Sequence, residues 1–117
     1  MPNWKEIWKM EHYSIHLTQS AQADIRDIAG YISLELRVPL TAKKLLHRFR
    51  EAISSLETMP ERYALVSDGY LATRGFRAVS VEEYLLFYTV DRSGRRVNVS
   101  RVLYGKRDWV SILTKDL

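Results

Sequence analysis

The sequence contains no cysteine, and its 117 residues include only five glycines, three prolines and three histidines. Without cysteine the chain forms neither disulfides nor thiolate metal sites, and nothing points to an oxidising compartment. His12, His16 and His47 are too scattered for a metal-ligand pattern, so no metal site is predicted. The glycines are isolated and form no glycine-rich phosphate loop, so we expect no cofactor.

Long apolar runs are also missing. No stretch approaches the roughly 20 residues that are needed to span a bilayer. Lys5, Glu6, Lys9 and Glu11 interrupt the N-terminal stretch, which therefore lacks the apolar core of a signal peptide. We expect a cytoplasmic protein without membrane contact. Its length fits one compact domain, and its 46% hydrophobic and 27% charged residues are typical of a globular protein.

Positive charge is concentrated in the C-terminal half of the chain. The net charge is +4, but the segment from Arg74 to Arg107 contains eight basic and three acidic residues. This segment forms either a solvated basic face or a surface for phosphate or an acidic partner protein.

The spacing of apolar residues predicts a strand and two helices in the N-terminal half. Residues 13–17 alternate as in a short strand, and a helix then begins after Ser20, the predicted N-cap. Pro39 separates it from a second helix over residues 40–57, and the short connection predicts an antiparallel helical hairpin. The apolar stripe of the first helix is Ile25, Ile28, Ile32 and Leu36, and that of the second is Leu45, Leu46, Phe49, Ile53 and Leu56.

Three strands are predicted in the C-terminal half. After a loop over residues 61–73 they cover residues 76–81, 84–90 and 95–104, and a short closing helix or tail follows from Trp109 to Leu113. The order is β-α-α-β-β-β, an α+β fold in which a helical hairpin packs on one face of a mainly antiparallel sheet.

Alternation along the strands predicts which side chains share a face. In the last strand, which we expect to be central, Val97, Val99, Arg101 and Leu103 would lie together. If helices cover one face only, the other would present Arg77, Arg101, Lys106 and Arg107, with Phe76, Tyr84, Tyr88 and Tyr104 among or behind them. Basic and aromatic residues together suit RNA, and they equally suit an acidic peptide that folds on binding.

Residues 1–12 form a leader before the domain that we assign to residues 13–117. A helical turn there would place Trp4, Ile7 and Trp8 on one face. We expect this face to fold back onto the domain; the alternative is a contact with a partner or a second copy, since tryptophan is enriched in binding hot spots.

Four stretches in this order resemble the RelE/ParE family of bacterial type II toxins: "LTQSAQADIRDIAGYI", "AISSLETMPERY", "GFRAVSVEEYLLFYTVD" and "VNVSRVLYGKRDW". The resemblance implies the fold described above and a growth-inhibiting toxin held inactive by a cognate antitoxin. It also implies that operator DNA is bound only through that antitoxin. The expected antitoxin-binding residues are Leu45, Phe49, Ile53, Trp4 and Trp8.

The target of such a toxin differs between two branches of the family. RelE-like members cut mRNA on the ribosome without a metal, whereas ParE-like members poison DNA gyrase. Arg77 and Arg107 match basic positions of the cutting branch, with Arg101 assisting, but Val79, Leu85 and Leu113 depart from its pattern. Tyr104, Tyr88 and Glu83 are the substitutes that the chain offers.

We therefore favour the ParE-like function, with an mRNA endoribonuclease and a non-toxic regulatory binding module as alternatives. The residues expected to contact the target or another partner are Arg74, Arg77, Arg101, Lys106, Arg107, Tyr88 and Tyr104.

Overall fold

The computed structural model describes residues 3–117, apart from the side chains of residues 9–11. Its elements are α1 (Trp4–Glu11), β1 (Ser14–Leu17), α2 (Gln19–Gly30), a π-helical turn (Tyr31–Glu35), α3 (Pro39–Ser55), a 3-10 turn (Pro60–Arg62), α4 (Gly69–Thr73), β2 (Arg77–Val81), β3 (Tyr84–Asp91), β4 (Arg96–Tyr104) and α5 (Trp109–Lys115). This is the predicted α+β fold. No helix in the described part of the chain is long and apolar enough to cross a membrane.

The sheet has the strand order β1-β4-β3-β2. β1 pairs in parallel with β4, and the other neighbours are antiparallel. β4 is therefore central, as predicted, and it buries side chains on both of its faces. The three C-terminal strands begin and end within one residue of their predicted limits because two tight turns delimit them.

The helical hairpin begins earlier in the chain than the sequence predicted, and the turn between its helices has a different geometry. Thr18, not Ser20, caps α2, since its hydroxyl oxygen accepts a hydrogen bond from the amide of Ala21 at 3.0 Å. At the other end, the amide of Leu36 donates to the carbonyl of Tyr31, five residues back, at 3.1 Å. This π-type bond adds a residue to the turn and rotates the chain after it. Leu36 is therefore exposed, and its predicted place on the buried stripe is wrong.

One face of the sheet packs against α2 and α3. Leu45, Phe49 and Leu56 of the second helical stripe are buried there against Val97 and Val99 of β4. Ala21 at the start of α2 is fully buried in the same cluster, where its small side chain lets the helix lie close to the sheet.

The second face of the sheet is covered as well, so the condition under which it would present the basic residues is not met. Leu71 of α4, a helix in the segment predicted to be a loop, packs with Phe87 of β3 and with Leu113 of α5. The ring of Trp109 lies 5.2 Å from that of Phe87. Because Phe87 and Leu103 put large apolar surface on this face, leaving it open to water would be costly.

A β-bulge changes the faces of β4. Phe87 pairs with Arg101 but Tyr88 pairs with Val99, so Ser100 has no opposite residue. The extra residue inverts the alternation of side chains. Val97 and Val99 consequently lie in the helix-covered core, whereas Leu103 lies on the second face, and the prediction that they share a face is wrong.

The leader forms α1, but its apolar face does not fold back onto the domain. Trp4, Ile7 and Trp8 are 72%, 41% and 54% exposed. The expectation that these side chains pack on the core is therefore wrong.

Candidate partner-binding surfaces

Arg77, on the edge strand β2, is held by the segment before that strand. Its guanidinium donates to the carbonyl oxygens of Tyr63 at 2.6 Å and Glu61 at 3.2 Å, and it lies 3.6 Å from the Glu61 carboxylate. Glu61 also accepts two hydrogen bonds from Arg92. The Arg92 hydrogen bond is the main reason that the pKa of Glu61 is lowered. Nη1 of Arg77 thus donates to two carbonyl oxygens inside the protein, and the side chain is only 19% exposed.

Tyr88 lies in the core and binds the same segment before β2, so its ring is not available for stacking on a ligand. Its side chain is fully buried, and its hydroxyl donates to the carbonyl of Pro60 at 2.6 Å. Burial raises the pKa of Tyr88 to about 12. Its predicted role in binding is therefore wrong for this conformation.

Arg101, on β4, is the centre of a second network. It donates from Nε and Nη2 to the carboxylate of Asp24 at 2.7 and 2.8 Å, and from Nη1 to Asp116 at 3.2 Å. The Asp24 carboxylate also accepts a hydrogen bond from the amide of Val102 at 3.0 Å. This part of β4 lies beyond the last residue that pairs with β1, which is Val99. Hydrogen bonding to Asp24, reinforced by Asp116, raises the pKa of Arg101. Arg101 therefore ties α2, β4 and the C-terminal residues together.

The predicted basic cluster is not assembled. Arg77 and Arg101 lie on β2 and β4, which are separated by β3, and strands are spaced about 4.8 Å apart. Arg77 lies beside the Glu61 carboxylate, which also binds Arg92, and Arg101 binds the carboxylate of Asp24. These partners are 16 and 77 positions apart, so spacing along the chain does not reveal them.

Lys106 and Arg107, the other two members of the predicted basic cluster, are exposed and follow the end of β4. Their side chains make no hydrogen bond or ion pair with any described side chain or backbone group. Asp108, the next residue, caps α5. Its carboxylate accepts from the amide and hydroxyl of Ser111 at 3.3 and 2.7 Å, and the hydroxyl bond is the main cause of its lowered pKa.

Two further predicted residues are exposed. Arg74 follows α4 and is open to solvent. Tyr104, at the end of β4, is partly exposed, and its ring lies edge-on to that of Tyr84 at 5.9 Å. Among the side chains that the structure describes, no group of three His, Asp or Glu residues is placed to hold a metal ion.

An apolar surface at the tip of the helical hairpin was missed by the sequence reasoning. We call it the tip surface; it consists of Tyr31, Leu34, Leu36, Val38 and Leu40, which are 41–76% exposed. Apolar residues at positions 34, 38 and 40 fall outside the predicted helical stripes, and that excess is the signal that could have revealed it. Three of these residues, Tyr31, Leu36 and Val38, line one groove, and clustered exposed apolar side chains are typical of interaction sites.

A groove of about 510 Å³ lies beside the tip surface. We call it the tip groove. Its apolar lining includes Tyr31, Leu36, Val38, Leu45 and Tyr84, and its charged residues are Lys44, Arg48, Glu82 and Glu83. Leu45 forms part of its floor and is largely buried.

The predicted antitoxin-binding residues thus divide into two groups. Phe49 is fully buried in the core and Ile53 is partly buried, because α3 turns these side chains toward the sheet. Phe49 therefore does not offer a docking surface, which corrects that prediction. Trp4 and Trp8 are exposed on α1.

The family model for the ParE toxin of the type II toxin–antitoxin system parDE matches residues 15–109. Solved structures of toxin–antitoxin systems also resemble the chain, among them structures from three different organisms. The chromosomal ParDE toxin–antitoxin system from P. aeruginosa has a TM-score of 0.62 at 21% identity and covers 80% of this chain and 96% of that one. The RelBE2 toxin–antitoxin complex from Mycobacterium tuberculosis has a TM-score of 0.58 at 21% identity, covering 80% and 98%.

The archaeal RelE–RelB complex from Pyrococcus horikoshii has a TM-score of 0.55 at 15% identity, covering 82% and 98%. No curated protein matches the sequence significantly. The family match begins after α1, so the helix carrying Trp4 and Trp8 lies outside the part of the chain that the family shares.

Proposed function

Because the chain belongs to the ParE toxin family of type II toxin–antitoxin systems, we propose that it inhibits bacterial growth by binding DNA gyrase. The inhibition is exerted through protein–protein contact rather than by cutting a nucleic acid.

The observation that carries this proposal is the engagement of Arg77 and Arg101 within the protein. An mRNA endonuclease of this fold needs side chains that activate the 2′-hydroxyl, stabilise the phosphorane and protonate the leaving oxygen. Three arginines, Arg77, Arg101 and Arg107, were candidates for these catalytic roles. Among the described residues, only Arg107 has no carboxylate partner. Tyr88, a possible acid, is buried with a raised pKa.

A cognate antitoxin is the second partner. The similar structures from P. aeruginosa and M. tuberculosis are a toxin–antitoxin system and complex. The tip surface of this chain offers apolar anchors beside a groove with charges of both signs, which suits the apolar face of an amphipathic helix. Lys106 and Arg107 suit an acidic segment of the same partner. Operator DNA would be bound through the antitoxin.

Growth inhibition is tested by induced expression with separate readouts of DNA integrity and translation. We expect filamentous cells and a DNA-damage response while protein synthesis continues at first. A prompt halt in translation with intact DNA contradicts the gyrase target and favours the endoribonuclease alternative, for which Arg107 is the exposed candidate. Normal growth despite tight antitoxin binding favours the non-toxic binding module.

Antitoxin docking is tested by co-purification with the protein encoded beside this gene. Leu36→Asp places a charge on the tip surface and should reduce capture at least tenfold, since a desolvated charge costs more than about 1.4 kcal/mol. Leu117→Asp is the matched control, because Leu117 is 49% exposed and Leu36 is 53% exposed. Equal capture of both variants would show that the tip surface is not the docking site.

A further inference from the structure

α1 carries an apolar face that the rest of the molecule leaves uncovered. The side-chain oxygen of Asn3 caps the helix by accepting from the amide of Lys5 at 2.8 Å. Trp4, Ile7 and Trp8 share one face and are exposed. A helix of eight residues is marginal in water on its own, and it gains stability by packing its apolar face against another surface.

α1 extends from one end of the molecule. His12 bridges to Thr58, and the amide of Tyr13 donates to the carbonyl of Glu57 at 2.8 Å, just after the end of α3. α1 makes no extended contact with another described helix or strand. The molecule is 56 Å long, and its radius of gyration of 15.5 Å exceeds the roughly 13 Å of a compact chain of this length.

The tip groove lies toward the opposite end of α3. That helix has 17 residues and is therefore about 25 Å long, whereas α1 has eight and spans about 12 Å. Only His12 and Tyr13 lie between α1 and β1. α1 is consequently too short, and too closely tied to β1, to reach the tip groove of its own chain.

We propose that α1 of one copy occupies the tip groove of a second copy in a two-fold symmetric, antiparallel dimer. α1 joins the domain beside the end of α3, whereas the groove is lined by residues at the start of α3, so the two lie toward opposite ends of that helix. When two copies lie antiparallel, each helix therefore meets the other copy's groove. The two contacts are equivalent and close the assembly at two copies.

The exposed area supports two contacts rather than one. An aromatic side chain buries up to about 250 Å², so Trp4 and Trp8 together can remove about 300 Å² from water at their observed exposure. With a similar area lost from the groove, one contact buries about 600 Å² and the reciprocal pair about 1,200 Å². Specific interfaces begin at about 1,200 Å², so only the reciprocal dimer reaches that size.

Charge does not oppose this pairing. The polar face of α1 carries Lys5 and Glu6, and the groove carries Arg48 and Glu82, which are already paired with each other. Both surfaces thus contain charges of both signs. An antitoxin on the tip surface, as proposed above, would displace α1; this consequence alone rests on the proposed function.

The dimer is tested with the full chain separated from any antitoxin in denaturant and refolded. Sedimentation should give twice the 13.7 kDa mass of one chain, and Trp4→Ala/Trp8→Ala should return a folded monomer. These tryptophans lie outside the core, so circular dichroism should remain unchanged apart from α1. A monomeric wild-type chain overturns the proposal whatever the outcome of the toxicity tests.

The absence of cysteine permits a direct test of the geometry. Ile7→Cys, on the apolar face between Trp4 and Trp8, and Thr41→Cys, in the tip groove, are prepared separately, mixed and oxidised. We expect the mixed disulfide to form between them. Ser93→Cys is the control, because this residue of the β3–β4 turn does not line the groove and should not cross-link to Ile7→Cys. A dominant disulfide between two Ile7→Cys chains would overturn the proposal, since the helices would then pair with each other.

Discussion

Removing the Asp24 carboxylate should destabilise the protein more than removing any exposed acid. In Asp24→Ala, Arg101 loses two charge-assisted hydrogen bonds and Val102 loses the acceptor of its amide. The side chains of Asp24 and Arg101 are 12% and 17% exposed, so the guanidinium is left mostly desolvated. Removing one partner of a buried pair costs about 3–5 kcal/mol. Because Asp116 stays within reach of Arg101, we expect about 2–3 kcal/mol.

Urea unfolding followed by circular dichroism measures this loss. Asp116→Ala is the control, since Asp116 is 42% exposed and its pair with Arg101 should contribute less than about 1 kcal/mol. Adding Arg101→Met to Asp24→Ala should recover part of the loss, because no uncompensated charge then remains. If Asp24→Ala costs no more than Asp116→Ala, Arg101 does not depend on Asp24, and its assignment as a structural residue fails.

Three further changes test the core and its ionisable groups. Leu113→Ala should cost about 3 kcal/mol in urea unfolding, because α5 buries this side chain fully against the second face of the sheet; a loss below about 1 kcal/mol would contradict that packing. Tyr88→Phe should cost about 1–2 kcal/mol by leaving the Pro60 carbonyl without its donor. Between pH 10 and about 12 the variant should also lose less stability than the wild type, because in this range the unfolded wild-type chain releases the Tyr88 proton and the folded chain keeps it. An unchanged slope would mean that Tyr88 is not the group responsible. The pKa of Glu61 is lowered in the folded chain, so the stability that its carboxylate contributes is present above pH 4.5 and is lost as the pH falls. The free energy of unfolding of Glu61→Gln should therefore fall less steeply in acid than that of the wild type, and an identical acid profile would count against the Arg92 pair.

The elements of the fold were predictable from local pattern. Alternation and two polar turns place β2, β3 and β4, and Pro39 marks the change of helix. Two features that the sequence did not reveal, the exposure of the hairpin tip and the faces of β4, each depend on one extra residue. The π-type bond to Tyr31 exposes Leu36, and the bulge at Ser100 inverts the faces of β4. Periodicity assumes uninterrupted geometry, so one inserted residue defeats it.

The site could be predicted less well than the fold because its decisive contacts are distant in sequence. Arg101 is separated by 77 residues from Asp24, and nothing in the spacing links them. Arg77 and Arg101 therefore looked like free cations in the sequence. Lys106 and Arg107, at the exit of the last strand, were placed correctly as exposed residues because they follow the end of an apolar run.

The most direct test of the gyrase target is a supercoiling assay with purified gyrase and the purified full chain. The account predicts that the chain inhibits supercoiling, and that an antitoxin bound at the tip surface relieves the inhibition. Unaffected gyrase, together with A-site mRNA cleavage on purified ribosomes that Arg107→Ala abolishes, would contradict it.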